Sequence, residues 1–264
     1  MTDPDGDRTQ RWDRVPGLPP VPGARADAPP RRGLWRTLAL GAGELLVTAG
    51  VVLLLFAVYA VFVTDVVTAQ RQDELSEQLR EEWDSAPGRG AITRVELGDA
   101  FAVLRIPRLG EDYTRVVLEG TEEEQLSQGP GHYTDTAMPG EEGNVAFAGH
   151  RVGKGSPFLQ LDAMRPGDPV VVETADSWFV YRVLAEDDPS GIPGMQIVRP
   201  TALEVISPTP NAAGAAPSGA YLTLTTCHPR YSARQRLVVH ARLDGGALSK
   251  AQYPDGPDAL HENR

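Results

Sequence analysis

From Leu45 to Val63 the chain reads LLVTAGVVLLLFAVYAVFV, 19 residues without a charge. A helix needs about 20 such residues to cross the hydrocarbon core of a bilayer. The run is apolar on every side, whereas a surface helix of a soluble domain keeps a polar face. It is longer than the ~7–15-residue core of a signal peptide, and it follows a long tail. The expectation is an uncleaved transmembrane helix over residues 37–64. Arg31, Arg32 and Arg36 precede the run and Asp65 follows it. The positive-inside rule then predicts a single-pass protein of the cell membrane, with a cytoplasmic N-terminus and an extracellular body.

The charge divides in the same way. Residues 1–36 carry seven Arg and five Asp, while the whole 264-residue chain has a formal charge of -11. Such an acidic body lacks the clustered Lys and Arg that nucleic acid requires. The first 36 residues are rich in Pro, Gly, Asp and Arg and read as a disordered cytoplasmic tail. After the membrane, Leu75, Leu79 and Trp83 recur every four residues, which is a helical stripe. Residues 65–90 are therefore expected as a helical stalk that Pro87-Gly88-Arg89-Gly90 ends.

Beyond it the texture changes to short branched or aromatic runs between Gly and Pro turns. Strands are predicted at Phe101–Ile106, Val116–Glu119, Asn144–Ala148, Val170–Glu173, Trp178–Leu184, Leu203–Ile206, Tyr221–Thr226 and Leu237–Leu243. Short helical pieces fall near Thr121–Ser127 and Pro157–Met164. This spacing indicates an all-β closed barrel or sandwich over residues 91–244. Residues 245–264 read as a loose polar tail.

Cys227 is the only cysteine in the chain. It stands at the end of a predicted strand, just before His228-Pro229. Outside the membrane it has no disulfide partner, so it is either an inert core residue or a reactive thiol. A reactive thiol needs a group that accepts or returns a proton. Of five histidines, His228 points to the opposite face of the strand, His240 lies within the last strand, and His261 is in the tail. His132 and His150 remain. His150 ends an apolar strand directly after Gly149, which mirrors the placement of Cys227 and favours it. A developing oxyanion also needs donors. Arg234 and Arg236 both open the final strand, and spacing alone does not choose between them. There is no CxxC, HExxH, GxSxG or phosphate-binding glycine loop.

The segments GPGHY, MPGEEGNVAFAGHR and LTTCHPRYSARQRLVV, placed after a membrane anchor, resemble the sortases, the cysteine transpeptidases of Gram-positive surfaces. TLTTC followed nine residues later by Arg is similar to class E, found in actinobacteria. The resemblance spans about Ala100 to Leu243. It implies an eight-stranded closed β-barrel with short helices. It also implies His150, Cys227 and Arg236 as the catalytic residues, with Arg234 in reserve. Thr226 and the 185–219 stretch are expected to line the substrate groove. The implied reaction cleaves an LAXTG-like sorting motif between Thr and Gly and transfers the surface protein to a peptidoglycan precursor amine. The resemblance implies no cofactor, and no metal ligand among the site residues. Two other readings of the same residues are a different cell-wall cysteine peptidase and a non-catalytic, membrane-anchored β-module for envelope assembly.

Overall fold

The computed structural model describes residues 33–59, 64–85 and 95–262. Most of the predicted tail, the last four residues of the apolar run and the break at Pro87–Gly90 lie outside these residues. Helix α1 covers Leu34–Val58, and none of its residues is buried. Its 25 residues span about 37 Å at 1.5 Å each, more than the ~30 Å of a bilayer core. Among the described residues it is the one helix long and apolar enough to cross a membrane.

The remaining chain forms helix α2 (Thr64–Ser85) and ten strands: β1 (Ala100–Arg105), β2 (Thr114–Glu119), β3 (Gly131–His132), β4 (Gly143–Ala148), β5 (Pro169–Glu173), β6 (Ser177–Val183), β7 (Met195–Val198), β8 (Ala220–His228), β9 (Gln235–Leu243) and β10 (Leu248–Ser249). Eight of them close a barrel in the order β6-β5-β1-β2-β3-β4-β8-β9, with β9 pairing back onto β6. β7 lies on the first half of β9 and β10 on the start of β6. A short helix, α3 (Glu123–Leu126), leads into β3.

Alternation decides which residues fill the barrel. Along β8, Leu222 and Leu224 enter the core with Phe147 of β4 and Val239 of β9. Tyr221, Thr223, Thr225 and Cys227 share the other face. β4 and β8 run parallel, from Gly143 opposite Ala220 to Ala148 opposite Thr225. Both strands are buried almost throughout, as parallel pairs usually are.

Three expectations are corrected. Leu203–Ile206 is a 3-10 turn, not a strand. Its backbone bonds locally, with Ser207 and Asn211 N–H both donating to Glu204 O. The barrel still has eight strands, because β3, between β2 and β4, completes it. The segment after Asp244 is not loose. Leu248, Ala259 and Leu260 pack with Trp178 and Val180, and Trp178 Nε1 donates to Tyr253 O at 3.1 Å. Lastly, α2 lies along the barrel and does not stand off it. Leu75 and Leu79 are buried against Val103, Val116 and Leu118, and Trp83 packs at the margin. Burying each leucine contributes about 1.5–3 kcal/mol, enough to hold a helix whose other face is polar.

Candidate active site

Cys227 lies near the end of β8, where the strand leaves the barrel and its side chain is half-buried. The β8–β9 register sets Arg236 directly opposite it. Directly opposed residues point to the same face of a sheet. Arg234 falls before β9 begins and is exposed. The guanidinium of Arg236 donates from Nη1 to Ala233 O and Gln235 O, both at 3.0 Å. These carbonyls hold it at the rim of the sheet.

The other neighbour of Cys227 comes from the end of β4. Parallel pairing with β8 continues past the last strand residue. Gly149 N–H donates to Thr225 O at 3.1 Å, and Thr226 Oγ1 donates to Gly149 O at 2.8 Å. One step further, Arg151 Nη1 donates to His228 Nδ1 at 3.2 Å. Arg151 and His228 thus share one face of the extended pair. By alternation, His150 and Cys227 share the opposite face. Gly149 makes this turn of the chain possible, because a Cβ there would stand 2.6 Å from Phe158 Cδ2.

His150 is half-buried, and its Nε2 has no hydrogen-bond partner among the described residues. Burial lowers its pKa from the ordinary imidazole value. A buried polar atom without a partner calls for an explanation. Here it leaves one ring nitrogen uncommitted on the face that, by alternation, also carries the thiol. Arg151, almost fully buried, also pairs with Asp162 at 2.8 Å. Burial alone would raise the Asp162 carboxyl, but the hydrogen bond from Arg230 and the charges of Arg151 and Arg230 bring it below its usual range. This carboxylate ties the chain after His150 to the chain after Cys227.

The remaining histidines have other work. His132 is buried; Nδ1 lies 2.8 Å from Glu119 Oε2 and Nε2 is 3.1 Å from Ala137 O. His240 is buried between Thr223 Oγ1 at 2.9 Å and Gln196 Nε2 at 2.8 Å. Thr223 Oγ1 donates onward to Asn144 Oδ1, and Asn144 Nδ2 donates to Val205 O and Ser207 O.

That chain fastens the 3-10 turn along a small groove that reaches Arg236. Tyr133, Val198, Leu203, Thr225, Arg236 and Val238 are among its lining residues. Thr226, expected to face substrate, has its side chain on the core side and is buried. Thr225 lines the groove instead, and its Oγ1 is 3.1 Å from Tyr133 Oη. Strand parity carried this signal, since Thr225 and not Thr226 shares the face of Cys227.

The His240 chain makes the fold sensitive to acid. Burial lowers the His240 pKa from 6.5 to about 4. The unfolded chain therefore takes up this proton at a pH where the folded protein does not. Stability is complete above pH 6.5 and falls as the pH drops toward 4, by on the order of 3 kcal/mol. Urea denaturation at pH 7 and pH 4.5 is expected to show a smaller acid loss in His240→Gln than in the wild type. Equal losses in the two proteins would contradict this assignment.

Comparison with known proteins agrees with this geometry. The family model described as Sortase domain matches residues 104–244. Sortase SrtE2 of Streptomyces coelicolor is 36% identical over 76% of this chain and 80% of its own length. Sortase SrtE1 of the same organism is 34% identical over 83% of this chain, which spans 60% of SrtE1. The SrtF sortase from Corynebacterium diphtheriae superposes with a TM-score of 0.62 at 37% identity, over 67% of this chain and 99% of that one. The chain belongs to the sortase family. Its likeness to SrtE1, to SrtE2 and to sortase E from Streptomyces avermitilis (41% identity, TM-score 0.54, 63% of this chain and 99% of that one) is a likeness to class E.

Proposed function

We propose that the protein is a membrane-anchored cysteine transpeptidase. It cleaves an LAXTG-like sorting motif between Thr and Gly and transfers the upstream protein to a cell-wall amine. The observation that carries this reading is the pairing of β8 with both β4 and β9, which sets Arg236 opposite Cys227 and, by alternation, supports His150 on the same face.

In the first step Cys227 Sγ, as thiolate, attacks the Thr carbonyl carbon. The C–N bond to Gly breaks, and the leaving amine takes a proton from the His150 imidazolium. In the second step an amine attacks the thioester, gives its proton to His150, and the C–S bond breaks to restore the thiolate. Arg236 donates to the oxyanion in both tetrahedral intermediates. Burial lowers the His150 pKa, so burial by itself disfavours the imidazolium.

In the same reading, residues 1–36 form a cytoplasmic tail, 37–64 the membrane span, 65–90 a juxtamembrane helix and linker, 91–244 the catalytic domain and 245–264 its C-terminal segment. The extracellular site would then meet membrane-tethered sorting signals and a lipid-linked peptidoglycan precursor. Tethering raises their effective concentration.

The test is the full chain in detergent, with an LAXTG peptide and a glycine-based amine, followed by mass spectrometry. A ligated product and a thioester on Cys227 are expected. Absence of both, across a panel of sorting motifs, would sink the reading.

Arg236→Ala is expected to lower turnover about 10²-fold, the usual cost of losing an oxyanion donor. Arg234→Ala should stay near the wild type, because Arg234 lies outside the β8–β9 register. The reverse order would move the oxyanion role to Arg234.

A further inference from the structure

The loop that leaves β4 after His150 returns at Phe158, whose N–H donates to His150 O at 3.1 Å. His150 is thus one foot of this loop. Gly153, Lys154, Gly155 and Ser156 all have positive φ, at 75°, 53°, 74° and 43°. Two of the four are not glycine, so the surroundings must hold a conformation the chain resists. A cavity of about 580 Å³ lies between the loop and α2, with Lys154, Gly155 and Pro157 on the loop side and Asp65 and Thr68 among the lining residues from the helix.

Support comes from α2. Asp65, in its first turn, accepts the Gly155 N–H at 2.9 Å through Oδ1. Thr68 lies so near that a Cβ on Gly155 would stand 2.8 Å from its Cγ2. Lys154 pairs with Glu123 of α3, and Tyr113 Oη donates to Pro157 O at 2.8 Å.

The helix is itself fixed to the barrel. Gln72 Oε1 accepts the Val116 N–H at 2.7 Å, while its Nε2 donates to Val116 O and Gln128 O. Thr68 Oγ1 donates to Ser127 O at 3.1 Å, and Arg71 Nε to Gln128 Oε1 at 2.8 Å. With Leu75 and Leu79 buried below, α2 is fixed to the barrel from Thr68 onward, one turn after Asp65.

We propose that Asp65 is a positioning residue for His150: through the Gly155 amide it holds the 151–157 loop, and with it the imidazole. This assigns the juxtamembrane helix a part in the transfer reaction. It rests on the catalytic reading above, in which His150 exchanges protons with the two amines. Loosening the loop would misplace the imidazole without touching the peptide groove, so kcat should fall while KM stays constant. The side chain acts as a hydrogen-bond acceptor, and Asn keeps an acceptor oxygen.

The experiment compares wild type, Asp65→Ala, Asp65→Asn and Gly155→Ala as full chains in detergent, by hydrogen–deuterium exchange and transfer kinetics. Exchange over residues 151–158 is expected to rise about tenfold in Asp65→Ala and Gly155→Ala, with the β8–β9 peptides unchanged. The kcat should fall roughly fivefold to tenfold in both at constant KM. Asp65→Asn should recover most of it. Unchanged loop exchange in Asp65→Ala would overturn the fastening. Faster exchange with an unaltered kcat would overturn the positioning role. The exchange arm reads the loop even if the wild type forms no thioester, and that result would count against the catalytic reading alone.

Discussion

Cys227→Ala is expected to abolish both thioester formation and ligation, by at least about 10³-fold, with the melting temperature close to the wild type. No other cysteine exists to substitute for it. The fold does not depend on the sulfur. Cys227 is half-exposed at a strand rim, and among the described residues no core cluster includes it. The β8–β9 register is held instead by buried residues such as Leu222, Leu224 and Val239. The variant should therefore still bind peptide while forming no covalent adduct in the mass spectrum. A Cys227→Ala protein that still ligates would remove the nucleophile from the mechanism.

The parts of the fold visible in the sequence are those in which a branched run meets a Gly or Pro turn. β1, β5 and β8 have that form, and their expected bounds differ from the observed ones by only a few residues. β3 was invisible because it has two residues, Gly131 and His132, and exists through its pairing with Leu118, Glu119, Phe147 and Ala148. Leu203–Ile206 has the composition of a strand and is a turn, because Val205 is buried locally while Leu203 stays exposed. Composition does not report which backbone partner is available. The stripe of α2 marked a helix, but a stripe cannot say whether it meets solvent, lipid or the barrel. At the site, spacing left Arg234 and Arg236 equal, and the antiparallel register is what separates them geometrically. The resemblance implies Thr226 at the groove, where parity points to Thr225.

His150 and His132 offer the second large contrast, because each predicts a different failure. His150→Ala should lower turnover about 10³-fold, within the range for losing a general acid–base. Stability should hardly change, since His150 Nε2 has no partner to lose among the described residues. Removing a buried, desolvated nitrogen relieves a cost and leaves no charge stranded. His132→Ala should do the reverse. It would leave the buried Glu119 side chain without the imidazole 2.8 Å away, and leaving a buried hydrogen-bonding group unsatisfied costs about 1–3 kcal/mol. Any protein that still folds should turn over near the wild-type rate, because the His132 ring is fully engaged by Glu119, Thr136 and Ala137. Urea midpoints and single-turnover thioester rates on both variants separate the two roles. A stable but inactive His132→Ala beside an active His150→Ala would exchange the assignments. The geometry opposes that result, because only His150 continues a strand paired with the one that carries the thiol.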